Sequence, residues 1–120
     1  MSDVFLSDLA IELREFADER DWDKFHNPKN LAMALAAECG ELLEQFQWLT
    51  PEQSSQPDPQ RLERIAAEMA DVLIYLIRLA DRLDLDLPAA VAAKLEHNRR
   101  KYPADQVRGD ARKYDEYKSP

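Results

Sequence analysis

Apolar residues recur at three- and four-residue steps through most of this chain, and only two glycines occur among its 120 residues. That period belongs to the amphipathic α-helix, in which residues three and four apart share one face. Leu6, Leu9, Leu13 and Phe16 define a first helix over residues 2–20, and residues 21–27 break the pattern. Asn27 followed by Pro28 marks a helix start, with Asn as the cap and Pro at the first helical position. The second helix then runs over residues 28–48. Residues 50–60 hold three Pro and two Ser and read as a loop, which leads to a third helix over 61–83. Those two helices are expected to be antiparallel neighbours. Pro88 opens a fourth helix that reaches residue 101, where Tyr102 and Pro103 end it. The fold class is therefore all-α, a four-helix, bundle-like domain over residues 1–103 followed by a polar tail over 104–120.

Composition narrows the function more than the fold. The net charge is −8, and its distribution is uneven: residues 94–120 are locally positive, and everything before them is acidic. An acidic protein is a poor ligand for duplex nucleic acid, whose affinity comes mainly from a basic face that neutralises phosphates. The single cysteine, Cys39, excludes an internal disulfide and a cysteine-based zinc site. No apolar run is long enough to span a bilayer, and none near the N-terminus resembles a signal peptide, so a cytoplasmic location with no membrane partner is expected. Residues 72–80 are apolar on nearly every side apart from Tyr75 and Arg78. One thin helical layer of this length covers such a helix poorly, so Val72, Leu73, Leu76 and Ile77 are expected to pack across a subunit interface.

Two carboxylate pairs stand where the helical period calls for leucine. The stripe of the second helix reads Leu31, Leu35, Glu38, Leu42, Gln45, with Glu41 three residues after Glu38. In the third helix Ile65, Glu68, Val72 and Leu79 repeat the anomaly, with Asp71 three residues after Glu68. Such pairs are common on solvated helix faces, but in an apolar stripe like charges repel unless a cation lies between them. Four oxygen donors without a nearby His or Cys describe a site for a hard divalent ion, Mg²⁺ with Mn²⁺ as a substitute. A di-iron carboxylate bundle would need Glu-x-x-His, a spacing that neither His26 nor His97 supplies.

Glu38-x-x-Glu41 followed after a loop by Glu68-x-x-Asp71 resembles the signature of the MazG-like all-α pyrophosphohydrolases. The likeness extends through Arg20-Asp21-Trp22, Phe25-His26, Phe46-Gln47-Trp48, the run from Asp71 to Leu76, and Asn98-Arg99-Arg100-x-Tyr102-Pro103. It is nearest to the dCTP pyrophosphatase branch. The resemblance implies a homo-oligomer, typically a tetramer, with sites built where helices of neighbouring subunits meet. It also implies Mg²⁺ held by Glu38, Glu41, Glu68 and Asp71, and water attacking the α-phosphorus of a (deoxy)nucleoside triphosphate as pyrophosphate leaves. Glu41 is the candidate general base, ahead of Glu38. One departure is that the family's fuller motif begins with two adjacent acidic residues, and Ala37 stands at the first of them. The number of metal ions is left open by that change.

Trp22, Phe25, His26 and Trp48 flank the acidic motifs, and flat aromatic faces suit stacking on a nucleobase, although each could equally be core packing. By resemblance Trp22, His26 and Trp48 form the base pocket, with Tyr75 near the sugar or phosphates. Of the basic residues near the end of the fourth helix, Arg99 and Arg100 are accounted for by the helix dipole. Asn98, Lys101 and Tyr102 match the family's phosphate-contact region. Two alternatives stay open: a helical metal-binding regulatory or interaction module without turnover, and the same chemistry on another nucleotide such as dUTP.

Overall fold

A computed structural model describes residues 1–112, and the end of the expected polar tail, 113–120, lies outside the described residues. The described residues form six helices and one 3₁₀ turn: α1 (Val4–Glu19), the turn Asp23–Phe25, α2 (Pro28–Glu44), α3 (Pro51–Ser54), α4 (Pro59–Arg82), α5 (Leu87–Lys101) and α6 (Ala104–Val107). No strand occurs among the described residues. The all-α expectation holds, and no helix is long and apolar enough to cross a membrane.

Side-chain caps set most of the boundaries. Asp3, Asn27, Asp58 and Asp86 each accept a hydrogen bond from a backbone N–H three residues on, satisfying donors that have no partner inside the helix. Asp86 also accepts from the Ser2 N–H and hydroxyl, which ties the N-terminus to the start of α5. In the expected loop the chain forms α3 instead. Thr50 and Gln53 exchange hydrogen bonds in a capping box, and Pro51 and Pro59 occupy first-turn positions of α3 and α4. The second helix ends at Glu44 rather than Trp48, because Gln45 and Phe46 bond to carbonyls only three residues back and tighten the chain out of the α form.

Both α1 and α4 terminate in the same way. Trp22 N–H bonds to Ala17 O and Asp21 N–H to Asp18 O; Leu85 N–H bonds to Ala80 O and Asp84 N–H to Asp81 O. These are Schellman motifs, and their left-handed residues are Asp21 and Asp84, each at φ 54°. The first of them swings Trp22 back over the end of α1.

Helices α2 and α4 form the main packed pair, and α1 lies against α4. Arg61 donates to Gln45 O at 2.6 Å, Arg78 reaches His26 at 3.3 Å, and the Glu38 and Glu68 carboxylates meet between them, so the pair is antiparallel. The core is small: Ala10, Ala17, Leu31, Ile65, Ile77 and Ala80. Ile77 is completely buried within its own chain, so the expectation that it faces a second subunit is corrected; α1 and α2 already cover that side of α4. Elsewhere the apolar faces stay open. Leu62, Met69 and Leu73 form an exposed stripe on α4, while Val91 and Leu95 lie half exposed on α5, which among the described residues packs extensively on no other element. The radius of gyration, 18.2 Å, exceeds the roughly 14 Å of a compact chain of this length.

Candidate active site

The antiparallel pairing of α2 with α4 places the two acidic motifs opposite each other. Oxygens of Glu38, Glu41 and Glu68 all lie within 4.8 Å of one another. One oxygen of Glu38 and one of Glu68 are buried without a hydrogen-bond partner. Burial pushes the Glu38 carboxyl up to about 7, helped by its contact with Glu41 and by the charges of Glu41, Asp71 and Glu68. Glu68 is raised for the same leading reason, burial, together with Glu41 and Asp71. Uncompensated buried oxygens in a mutually repelling cluster are what a hard divalent cation corrects, and the donor set, all oxygen, fits Mg²⁺ or Mn²⁺. Asp71 stands beside the cluster, close enough to act on both raised carboxyls, and not within the tight group of three.

Asp71 also lines a cavity of about 310 Å³ together with Leu13, Phe16, Trp22, His26, Ile74, Tyr75 and Arg78. That volume lies at the small end of ligand pockets, and its walls are mainly apolar and aromatic with a few polar groups. Trp22 packs edge-on against Phe16, with ring centroids 5.7 Å apart, and lies 6.1 Å from the His26 ring. The turn that carries Trp22 and His26 is fixed from three sides. The Schellman motif holds its start, Asn30 donates to Phe25 O at 3.0 Å near its end, and Asp23 pairs with Arg78 and Arg82 of α4.

Trp22, His26, Tyr75 and Asp71 are thus brought to one place. Trp48 is not: it follows α2, 86% exposed, and does not line the cavity. Phe25 is likewise exposed and outside the lining. Asn98, Lys101 and Tyr102 sit at the end of α5 and also lie outside the lining of this cavity. Arg99 pairs with Glu96 at 3.1 Å, as its position in the last helical turn suggests. Sequence reasoning passed over Arg78. It looked like an interruption in an apolar run, yet it is buried, with its guanidinium between Asp23, His26 and Asp81. The available clue was its place seven residues after Asp71, on the stripe that carries Glu68, Asp71 and Tyr75.

A helical pair that aims carboxylates from both partners at one point, beside an aromatic cavity, defines an all-α protein with an acidic cluster suited to a divalent cation. The MazG-like family matches residues 33–117, and the chain belongs to that family. It is 50% identical over 116 residues to dCTP pyrophosphatase 1 of Homo sapiens, covering 92% of this chain and 66% of that protein. It is 46% identical over 116 residues to dCTP pyrophosphatase 1 of Bos taurus, covering 94% and 68%. The chain therefore spans about two thirds of the length of these curated relatives. Among solved structures, a pyrophosphatase from Archaeoglobus fulgidus DSM 4304 superposes with a TM-score of 0.79 at 41% identity, covering 86% of this chain and 96% of that one.

Proposed function

We propose that this protein is a Mg²⁺-dependent nucleoside triphosphate pyrophosphohydrolase acting on dCTP or a modified dCTP, releasing the monophosphate and pyrophosphate. The carrying observation is the cluster of Glu38, Glu41 and Glu68 oxygens within 4.8 Å, two of the carboxylates keeping a buried oxygen without a partner. The names of the curated relatives and the likeness to the archaeal pyrophosphatase support the same reaction.

In this reading Glu38, Glu41, Glu68 and Asp71 hold the cation, which when bound supplies charge neutralisation on the triphosphate and acidifies water. Mn²⁺ is a plausible substitute, because it accepts the same oxygen donors. Glu41 is the most exposed of the three clustered carboxylates and so the best placed to take a proton from the attacking water. Trp22 and His26 face the base, and Tyr75, which lines the same cavity as Asp71, faces the sugar or phosphates. Trp48, Asn98, Lys101 and Tyr102 would complete the substrate site from a neighbouring subunit of a homo-oligomer, a tetramer in this reading. The exposed stripes on α4 and α5 support that assembly, since apolar surface of this extent on a single chain marks a contact. The role fits nucleotide-pool cleaning in the cytoplasm.

The test is a panel of normal and modified triphosphates with Mg²⁺, with monophosphate and pyrophosphate both quantified. Turnover favouring a cytosine nucleotide is expected. Absence of pyrophosphate from every member of the panel would remove the enzymatic reading.

A further inference from the structure

Arg78 is costly to bury, and ion pairing does not explain why it is buried. Its side chain is 4% exposed; Nη2 donates to Asp23 Oδ1 at 2.7 Å, and Nη1 lies 3.6 Å from Asp81 Oδ2. Both acids have another arginine: Arg82 reaches Asp23 at 3.0 and 3.2 Å, and Arg14 holds Asp81 through two bonds of 2.7 and 2.8 Å. A hydrophobic side chain at position 78 would leave both acids paired and remove a charge from the interior. What Arg78 alone supplies is its third contact, from Nε to Nδ1 of His26 at 3.3 Å.

That contact determines where the imidazole proton lies. A guanidinium stays charged and can only donate, so the ring nitrogen it faces must be bare. The single proton of the neutral ring then sits on Nε2. Burial and the Arg78 charge hold His26 below its ordinary value, with Arg82 acting the same way and Asp23 against it. Imidazolium, which would place a proton on Nδ1 against Arg78, is therefore disfavoured.

We propose that Arg78 is a positioning residue that fixes His26 as the neutral Nε2–H tautomer, so that His26 offers the ligand in the aromatic cavity a donor and never an acceptor. The inference rests on the nucleotide reading only for what the cavity binds. A base lying against His26 must turn an acceptor to it, a ring carbonyl or an unprotonated ring nitrogen, and not its amino group. A cytosine would present its O2 and N3 edge, with the amino group directed elsewhere. Arg78 thereby contributes to base specificity without touching the base.

Long-range ¹H–¹⁵N correlation spectra of the full chain at neutral pH test this directly. Only two histidines occur, and His97→Gln assigns the pair. The wild type should show His26 in the Nε2–H form alone. Arg78→Leu should show a mixture with the other tautomer and imidazolium, with KM raised on the order of tenfold and kcat within about twofold. Arg78→Lys, which keeps a donor and a charge, should restore the single form. A wild-type His26 that is Nδ1-protonated or mixed overturns the proposal, and that spectrum decides it even if the variants do not fold. An Arg78→Leu chain that keeps the tautomer, or keeps KM, overturns it too. A wild type with His26 fixed but no turnover of any triphosphate would sink the nucleotide reading and leave the tautomer assignment standing.

Discussion

Glu38 of α2 and Glu68 of α4 face each other across the helix pair, each with one carboxylate oxygen buried and unpartnered. Packing alone would select against this arrangement, since two apolar side chains there would join the adjoining Leu31 and Ile65 in the core. The fold holds the repulsion in place by the surrounding contacts: Arg61 ties α4 to the end of α2, and the Asp23 pairs tie α4 to the turn before α2. The cluster therefore costs stability that a bound cation would restore.

The first consequence is a stability that depends on pH when cation is absent. The Glu38 carboxyl is pushed up to about 7 from an ordinary 4.5, so the folded chain holds that proton more tightly than the unfolded chain. Its contribution is fully present below about pH 4.5 and is lost as pH rises through about 7. In chelator, the melting temperature of wild type relative to Glu38→Gln should therefore fall between pH 5 and pH 8. Mg²⁺ should reverse the loss at pH 8, by about 2.7 kcal/mol at a hundredfold excess over Kd. A difference that is flat across this range in calorimetry would contradict the geometry assigned to Glu38.

Removing one charge from the cluster should separate catalysis from folding. Glu41→Gln and Asp71→Asn each delete a proposed cation ligand and relieve like-charge repulsion. Turnover at saturating Mg²⁺ should drop on the order of a hundredfold or more, while the melting temperature in chelator stays level or rises. Near-normal rates in both variants would dismiss the four-carboxylate site.

The position of bond cleavage is a separate matter. If the residues hold a triphosphate with its α-phosphorus nearest the activated water, oxygen from H₂¹⁸O should enter the monophosphate and not the pyrophosphate. Mass spectrometry of the products reads this in a single turnover. Label in an orthophosphate, with a nucleoside diphosphate beside it, would place the attack at the γ-phosphorus and overturn the assignment.

The carboxylates were legible in the sequence because each interrupts an apolar stripe in a way the helical period exposes: Glu38 among Leu31, Leu35 and Leu42, and Glu68 between Ile65 and Val72. The start of α2 was legible because a capping residue, Asn27, precedes Pro28. The same chemistry at Thr50-Pro51 and Asp58-Pro59 went unread, because prolines gathered in a polar stretch suit a loop as well as two closely spaced helix starts. Arg78 could not be interpreted locally. Its partners Asp23 and His26 lie 55 and 52 residues away, and only the Schellman turn that folds Trp22 back over α1 brings them to α4. The apolar excess of α4 was expected and the open face of α5 was not, and which residues of α4 stay uncovered depends on how α1 and α2 lie on it. Ile77 is covered and Leu73 is not.

That last difference supplies a clean test of assembly. Leu73 is 37% exposed and extends the stripe of Leu62 and Met69, so an aspartate there should be tolerated by an isolated chain. In an oligomer that buries this stripe, the same aspartate would be an unpaired charge in an apolar contact. Leu73→Asp should therefore convert the wild-type assembly to monomer, keep the helical circular dichroism signal, and lose most of its activity although Leu73 has no chemical role. Light scattering coupled to size exclusion, with activity measured across the peak, reads all three together. An active wild-type monomer at micromolar concentration would mean that one chain forms the whole site, and that the residues at the end of α5 must reach it without help from a neighbour.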